Sequence, residues 1–494
     1  MEDLLLWYIK DVRPVENASR PLKVGFGSSL IRIIEVDEVN QVLTTNLWLE
    51  TQWIDDHLKW NPAEYGGILR LYIPSEQIWT PDIVLYNNAH GNPYINMRTK
   101  ALVFHDGRVI WKTPSIYNSF CQFDIEFFPY DFQKCTLKFG GWTHTQHFLD
   151  MYQIPVTLDE PVETHFDADG TPYQYLQHGM DISYFYESAE WDLINLTSRR
   201  NERAYPGCCG KEVYVDITFS ITLRRKPLFY TIFLVLPCMS IAFLTTFVFY
   251  IPAVDHKIGF SISILVTLSV FMLALIDLVP PTSLVIPLFG KYLVFTMILV
   301  GVSIFVSVLT LQIFYRNAGT HQMKPWMKCL FVHKLPALLK IQPEESKKYS
   351  MFILSANNCI AGGPFQQSGC RLSRQESRYI IWKHRIDATK GRVTDLVLEF
   401  GLHPAILRQI IKQIQFISVH FCAQQRQDEI SEEWCFVAMV IDRLFLLLFS
   451  LVNVVGTLTF IAQAHSLFDS NQPMEKPQIS KPLGGQFWQA RTLS

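Results

Sequence analysis

Residues 227–251 read PLFYTIFLVLPCMSIAFLTTFVFYI, 25 consecutive residues without an Asp, Glu, Lys, Arg or His. A helix needs about 20 apolar residues to cross a bilayer, and it satisfies its own backbone hydrogen bonds on the way. Three more uncharged runs follow, Ile258–Ile276, Tyr292–Tyr315 and Leu444–Ala464, of 19, 24 and 21 residues. Core helices of a large soluble protein can be as apolar, but four such runs, three of them between residues 227 and 315, read as membrane spans. The chain is expected to cross the bilayer four times.

Charge orients those spans. Residues 316–433 carry 17 basic and 10 acidic side chains (net +7), whereas residues 1–226 carry 20 and 30 (net −10). The basic segment belongs inside the cell, an argument that rests chiefly on its ends because it is long. Both termini then lie outside, at the plasma membrane. The whole chain balances at 43 − 45 = −2, which argues against a nucleic-acid partner and against an acidic disordered chain. An exterior domain calls for a secretory leader, and Met1-Glu2-Asp3 followed by Leu4-Leu5-Leu6-Trp7 is too acidic and too short for one. The leader is expected to have been removed or to precede this sequence. Of the 10 cysteines, Cys121, Cys135, Cys208 and Cys209 fall outside, where an even number reads as two disulfides. Asn17-Ala18-Ser19 and Asn195-Leu196-Thr197 match the glycosylation acceptor pattern.

The organisation expected is an exterior all-β domain over 1–226, three spans over 227–315 with a helix at 257–277, an interior insert over 316–433, a fourth span over 434–464 and an exterior tail over 465–494. Short alternating runs such as Leu30–Val36, Leu69–Ile73, Ala101–Trp111 and Tyr214–Leu223, separated by Gly, Pro, Asn and Asp, give the first domain its β-sandwich reading. A first-turn helix before Pro14 would put Leu4, Leu5 and Tyr8 on one face. In the insert, 356–373 has little periodicity, whereas Ile406, Ile410, Ile414, Ile417 and Phe421 recur at helical spacing and predict an amphipathic helix leading into the fourth span. The tail after Ala464 reads as a loose end. Enzyme signatures are missing: there is no Gly-x-Ser-x-Gly, no phosphate-cradling Gly-x-x-x-x-Gly-Lys and no His-Glu-x-x-His. His144 and His147, three apart beside Trp142, read as surface groups rather than metal ligands, and no cofactor is implied.

Cys121 and Cys135 enclose 13 residues that contain Phe128-Pro129-Tyr130-Asp131. A disulfide there would pin the loop, and on spacing alone a plain structural staple is an equal reading. The pattern resembles the signature loop of the Cys-loop receptors, the pentameric ligand-gated ion channels. Asp37-Glu38-Val39-Asn40-Gln41, Gln52-Trp53-Ile54-Asp55, Trp60-Asn61-Pro62-Ala63-Glu64-Tyr65-Gly66-Gly67, Trp79-Thr80-Pro81-Asp82 and Leu85-Tyr86-Asn87-Asn88 resemble the nicotinic acetylcholine receptor branch in order and spacing. So do Ser261-Ile262-Ser263, Gly290-Lys291-Tyr292 and Val440-Ile441-Asp442-Arg443-Leu444-Phe445.

The resemblance implies an agonist site between subunits, where aromatic rings attract a quaternary ammonium. Its principal face would be Tyr86, Trp142, Tyr205 and Tyr214, capped by an adjacent Cys208–Cys209 disulfide, and its complementary face Trp48. With both faces on one chain, a homopentamer or a heteropentamer with related subunits is implied. The pore helix would present Gly259, Ser263, Val266, Val270, Leu273 and Asp277 on one face. An acid at the end of a lipid-facing stripe would be costly, whereas in a pentamer Asp277 makes a cation-concentrating ring and Val266 and Val270 a dewetting gate. Glu38 and Arg225 match an ion pair at the domain junction, with Phe128, Pro129 and Asp131 at the loop tip and Pro280, Pro281 and Ser283 in the linker after the pore helix. Ion pairs of this kind are often surface groups of little energetic weight.

Three departures from the family pattern stand out. Two residues rather than one separate Tyr205 from Cys208, the inner mouth reads Val254-Asp255-His256-Lys257 with His in place of Glu, and Val266 replaces the central Leu. The expectation is a postsynaptic, acetylcholine-gated channel subunit passing cations (sodium, potassium and, given His256, less calcium). Alternatives are a heteromer-only or non-conducting partner subunit, or a channel gated by choline or another amine.

Overall fold

A computed structural model describes residues 1–95, 98–157, 160–207, 210–252, 256–281, 285–316, 323–339, 341, 404–464, 467 and 469–476, with backbone alone at 205–207, 210–211 and several positions in 404–429. The stretch 356–373 lies outside the described residues. The chain divides into two compact units, one of residues 1–239, 268–295 and 456 onward, the other of 240–267 and 296–455.

The first unit carries two six-stranded sheets. One runs β3 (Arg70–Pro74), β5 (Lys100–Phe104), β6 (Asp106–Phe120), β2 (Val42–Lys59), β1 (Leu22–Asp37) and β8 (Leu149–Gln153). The other runs β4 (Ile83–Leu85), β7 (Phe132–Gly141), β12 (Gly210–Arg225), β11 (Trp191–Gly207), β10 (Pro172–Leu176) and β9 (Glu163–Phe166). Side chains alternate across a strand, so Cys135, Leu137 and Phe139 of β7 and Ile217, Phe219, Ile221 and Leu223 of β12 turn inward together. Across the sandwich Phe26 on β1 meets Phe139 at 5.2 Å between ring centroids, and Tyr117 on β6 meets Phe139 at 5.2 Å. This is the expected β-sandwich. The run 101–111 is not one strand, however: it breaks at His105, and Gly107 at the start of β6 has φ +88°, where a Cβ would stand 2.5 Å from the Asp55 carbonyl oxygen.

Ahead of the sandwich, α1 (Glu2–Leu5) is a single turn, and Leu4, Leu5 and Tyr8 pack against the core as their shared face predicts. The Tyr8 hydroxyl donates to Asp55 Oδ2 at 2.7 Å and accepts from the Trp79 amide at 3.0 Å. Burial first, then the Asp55 charge, pushes the Tyr8 phenol well above its usual range.

Among the described residues, four helices are long and apolar enough to cross a membrane: α2 (Leu228–Phe247), α3 (Lys257–Leu278), α4 (Leu288–Phe314) and the part Ile430–Gln463 of α5 (Pro404–Gln463). In α2 a π-helical turn covers Thr231–Val235, just ahead of Pro237, which has no amide to donate to the preceding turn. In the second unit the buried Lys257 and Asp442, which flank the uncharged runs of α3 and α5, pair at 2.6 Å and neutralise each other. As predicted, the 406–421 stretch is helical and continuous with the fourth span, with Ile410, Ile414, Ile417 and Phe421 exposed.

The described part of the tail, 469–476, is not loose. Arg224 donates to Asp469 Oδ2 at 3.1 Å, to the Asn471 carbonyl at 2.8 Å and to Asp192 at 3.1 Å. The Met474 amide donates to the Leu193 carbonyl at 2.8 Å, beside the irregularity between Leu193 and Asn195 that interrupts pairing with β12, and its side chain packs against the sandwich core. Arg224→Gln, which keeps bulk but removes the forked charge, is expected to release this strap, at a cost of about 1–3 kcal/mol in local stability. Chymotryptic loss of a C-terminal epitope should then proceed faster in the variant than in the parent; equal rates would show that Arg224 does not hold the tail.

Candidate functional site

Tyr86 follows β4 directly, and its amide donates to the Lys138 carbonyl at 2.7 Å, which continues the edge pairing of β4 with β7. Its hydroxyl donates to the Gly141 carbonyl at 2.5 Å, and the ring lies over Gly140, where a Cβ would stand 2.5 Å from Tyr86 ring and hydroxyl atoms. Gly140 is thus the residue that lets the ring lie flat on the strand. On the agonist-site reading that the resemblance implies, Gly140→Ala is expected to displace Tyr86 and shift half-maximal agonist concentration upward about tenfold or more, read from a concentration–response curve; an unchanged curve would show that the position of this ring is unimportant.

Trp142 follows β7 and is held from the backbone: its amide donates to the Asp82 carbonyl at 3.1 Å, Thr143 donates its amide to Asp82 Oδ2 at 2.7 Å, and His144 Nδ1 lies 3.4 Å from Asp82 Oδ1. Asp82 therefore anchors the loop that presents Trp142. The indole is 63% exposed and meets Tyr86 edge-on, ring centroids 6.4 Å apart. Tyr214 stands on the outward face of β12, its hydroxyl 3.4 Å from Glu212 Oε2. Tyr205 pairs in register with Glu212 across the β11–β12 hairpin. Cys208 and Cys209 lie outside the described residues. Beneath the rings, Lys138 Nζ is 5.5 Å from the Tyr86 centroid and 3.4 Å from the buried Asp216, which also accepts from Asn201 and Thr218.

Trp48 lies on the other sheet, in register with Ser29 and Pro114, 37% exposed and 5.6 Å from the ring of Tyr184. One chain thus carries Tyr86, Trp142 and Tyr214 on one sheet and Trp48 on the other. Such an arrangement offers π faces to a cation from two separate surfaces of one chain.

On α3 the buried residues are Lys257, Ser261, Ile264, Leu268 and Leu275, one stripe at helical spacing. Gly259, Ser263, Val266, Val270, Leu273 and Asp277 are all exposed, away from that stripe. His256 is exposed with φ +61°, and its carbonyl accepts the Phe260 amide at 2.9 Å; Asp255 lies outside the described residues.

Cys121 and Cys135 are joined as a disulfide. Glu38 and Arg225 pair at 2.7 Å, but they are not a marginal surface pair, because Arg225 is only 2% exposed. Its guanidinium grips Asp131 at both oxygens, 2.7 and 3.1 Å, and lies 4.3 Å from the Trp191 ring and 5.0 Å from the Phe128 ring. Burial alone would lower the Arg225 pKa, yet the hydrogen bonds and charges of Asp131 and Glu38 outweigh it and hold the group more firmly protonated than usual. Asp131 is accordingly a buried partner of Arg225 rather than a loop-tip group. Phe128 is buried and joined to Pro129 by a cis peptide, Pro280 is buried and Pro281 exposed, and Ser283 lies outside the described residues. The Glu126 carbonyl accepts the Leu288 amide at 2.7 Å, and the Tyr130 hydroxyl lies 3.0 Å from Thr231 Oγ1. These two links tie the disulfide loop to α4 and α2. Asn17 and Asn195, the asparagines of the two Asn-x-Ser/Thr patterns, are both exposed.

Residues 1–227 match the family model of the neurotransmitter-gated ion-channel ligand binding domain, and residues 234–461 that of the neurotransmitter-gated ion-channel transmembrane region. The chain is 40% identical over 495 residues to acetylcholine receptor subunit beta-like 2 of Drosophila melanogaster, covering 98% of this chain and 90% of that one. It is 40% identical to an acetylcholine receptor subunit alpha-like of Manduca sexta, over 96% of this chain and 91% of that one. To neuronal acetylcholine receptor subunit alpha-6 of Mus musculus it is 37% identical, over 93% and 90%.

Proposed function

Because the chain belongs to the neurotransmitter-gated ion-channel family, as an acetylcholine-receptor-like membrane channel subunit and not an enzyme, we propose that acetylcholine bound between adjacent subunits opens a cation-selective pore at a postsynaptic membrane. The observation that carries this reading is the Tyr86–Trp142 edge-on pair, with the Trp142 face left open to a cation. Trp48 on the opposite sheet supplies the complementary side, so five copies of this chain form complete sites, and related subunits can substitute at any position. By the family resemblance, Tyr205, Cys208 and Cys209 belong to the same site, the two cysteines as an adjacent disulfide. Residues 1–226 and the tail lie outside the cell and 316–433 inside.

In the pentamer the exposed face of α3 lines the pore. Asp277 rings its outer end and attracts cations, Val266 and Val270 narrow its middle, and His256 in place of an acid at the inner mouth lowers calcium passage relative to sodium and potassium. Agonist favours the open state by binding it better than the closed one, and the Arg225–Asp131–Glu38 cluster carries the bias from the sandwich to the helices. Binding is tested on membranes from cells expressing the chain behind a secretory leader: acetylcholine should displace a labelled quaternary-ammonium antagonist saturably. Surface-labelled protein that retains bound antagonist in saturating acetylcholine would refute the assignment.

A further inference from the structure

The outward face of the second sheet carries a cationic hollow in a domain whose net charge is −10. Lys134 and Lys138 project from β7, Thr218 from β12, and Arg199, Asn201 and Arg203 from β11, around a cavity of about 330 Å³. Strand register explains their convergence. Thr218 pairs with Lys138 on one side and Arg199 on the other, so two cations flank one hydroxyl in a single rung. Lys134 and Arg203 extend the row, each four residues from its neighbour on the same strand and therefore on the same face.

Among the described residues, two carboxylates form ion pairs with three of these four cations. Asp216 lies 3.4 Å from Lys138 and 3.9 Å from Arg203, and Asp167 lies 3.5 Å from Arg199. That leaves 4 − 2 = +2 in the hollow. Donors are left over as well. Arg199 is held by stacking on Tyr173, 3.8 Å from guanidinium carbon to ring centroid, and its Nε is enclosed with no hydrogen-bond partner among the described residues. Among the described residues the Lys134 amine meets no carboxylate. A concave, protein-walled site strengthens the field of such charges, and forked guanidinium donors match the oxygens of a tetrahedral oxyanion better than they match a halide.

We propose that this hollow binds a tetrahedral oxyanion, a sulfate or phosphate group presented either as the free anion or as an ester on a sugar chain. Free sulfate would neutralise the excess of two charges and a single sulfate ester one of them, and either would satisfy the Arg199 and Lys134 donors together. The inference concerns the fold of the exterior domain and is independent of which agonist opens the channel.

The test is thermal unfolding of the purified full chain in detergent, titrated with sodium sulfate against sodium chloride at constant ionic strength. A ligand that binds only the folded state raises the midpoint saturably. The expected result is a saturable rise with sulfate that chloride does not reproduce, its half-saturation weakened about tenfold or more in Lys134→Gln/Arg203→Gln, each variant losing a charge-assisted contact. Both side chains are exposed, so the variant should fold. Arg199→Lys, which keeps charge but removes the fork, is expected to weaken sulfate similarly and serves if the double variant is recovered poorly. A sulfated hexasaccharide that saturates at far lower concentration than sulfate identifies the ester as the natural form; equal or weaker action identifies the free anion. No saturable rise in the parent, or unchanged half-saturation in both variants, would overturn the proposal.

Discussion

Trp142→Ala is expected to remove the acetylcholine response at concentrations that saturate the parent chain, while surface expression stays unchanged. Both halves of that result come from the geometry. The indole is 63% exposed and held by backbone hydrogen bonds to Asp82, so truncating it opens no cavity in the sandwich core. What it loses is a π face, about 2 kcal/mol or more when the bound cation is desolvated, and the edge contact that orients Tyr86. Together these correspond to an affinity loss of about 30-fold at the least. Trp142→Phe should recover part of the response. Normal responses from Trp142→Ala would remove this ring from the site, and failure of the variant to reach the surface would assign it a folding role instead.

Arg225→Gln should be the most damaging single change to folding. The guanidinium is enclosed by two carboxylates and three aromatic faces, and removing it leaves Asp131 and Glu38 as uncompensated negative charges, Asp131 fully buried. Breaking one side of a buried ion pair costs about 3–5 kcal/mol, a large part of the roughly 5–15 kcal/mol that holds a domain folded. Surface-labelled protein should fall to a small fraction of the parent level. Arg225→Lys should rescue little, because an ammonium does not span both Asp131 oxygens. Adding Asp131→Asn to Arg225→Gln should restore part of the expression, since it removes the stranded buried charge. A double variant no better than the single one would show that the arginine acts through its stacking on Trp191 rather than through Asp131.

What was legible in the sequence depended on whether the signal was local. The membrane spans are composition, and the α3 faces are periodicity; Asp277 in line with Gly259 is visible from spacing alone. Breaking 101–111 into two strands was within reach, because Asp106-Gly107 is a strong hairpin dipeptide. Long-range partners were not. Asp131 and Arg225 are 94 residues apart, and no local pattern says that a loop acid will be buried against a strand-end arginine. Asp82 offers only its neighbours Trp79, Thr80 and Pro81, yet its side chain and carbonyl position Trp142 across 60 residues of chain. The tail strap rests on backbone groups and one arginine, which composition does not register.

Voltage clamp of cells expressing this chain alone behind a secretory leader, with acetylcholine applied while external sodium chloride is diluted, tests the central claim most directly. The account predicts an acetylcholine-evoked current whose reversal potential moves negative as sodium is withdrawn, as for a pore selected by the Asp277 ring. A reversal potential that moves positive, following chloride, would contradict it.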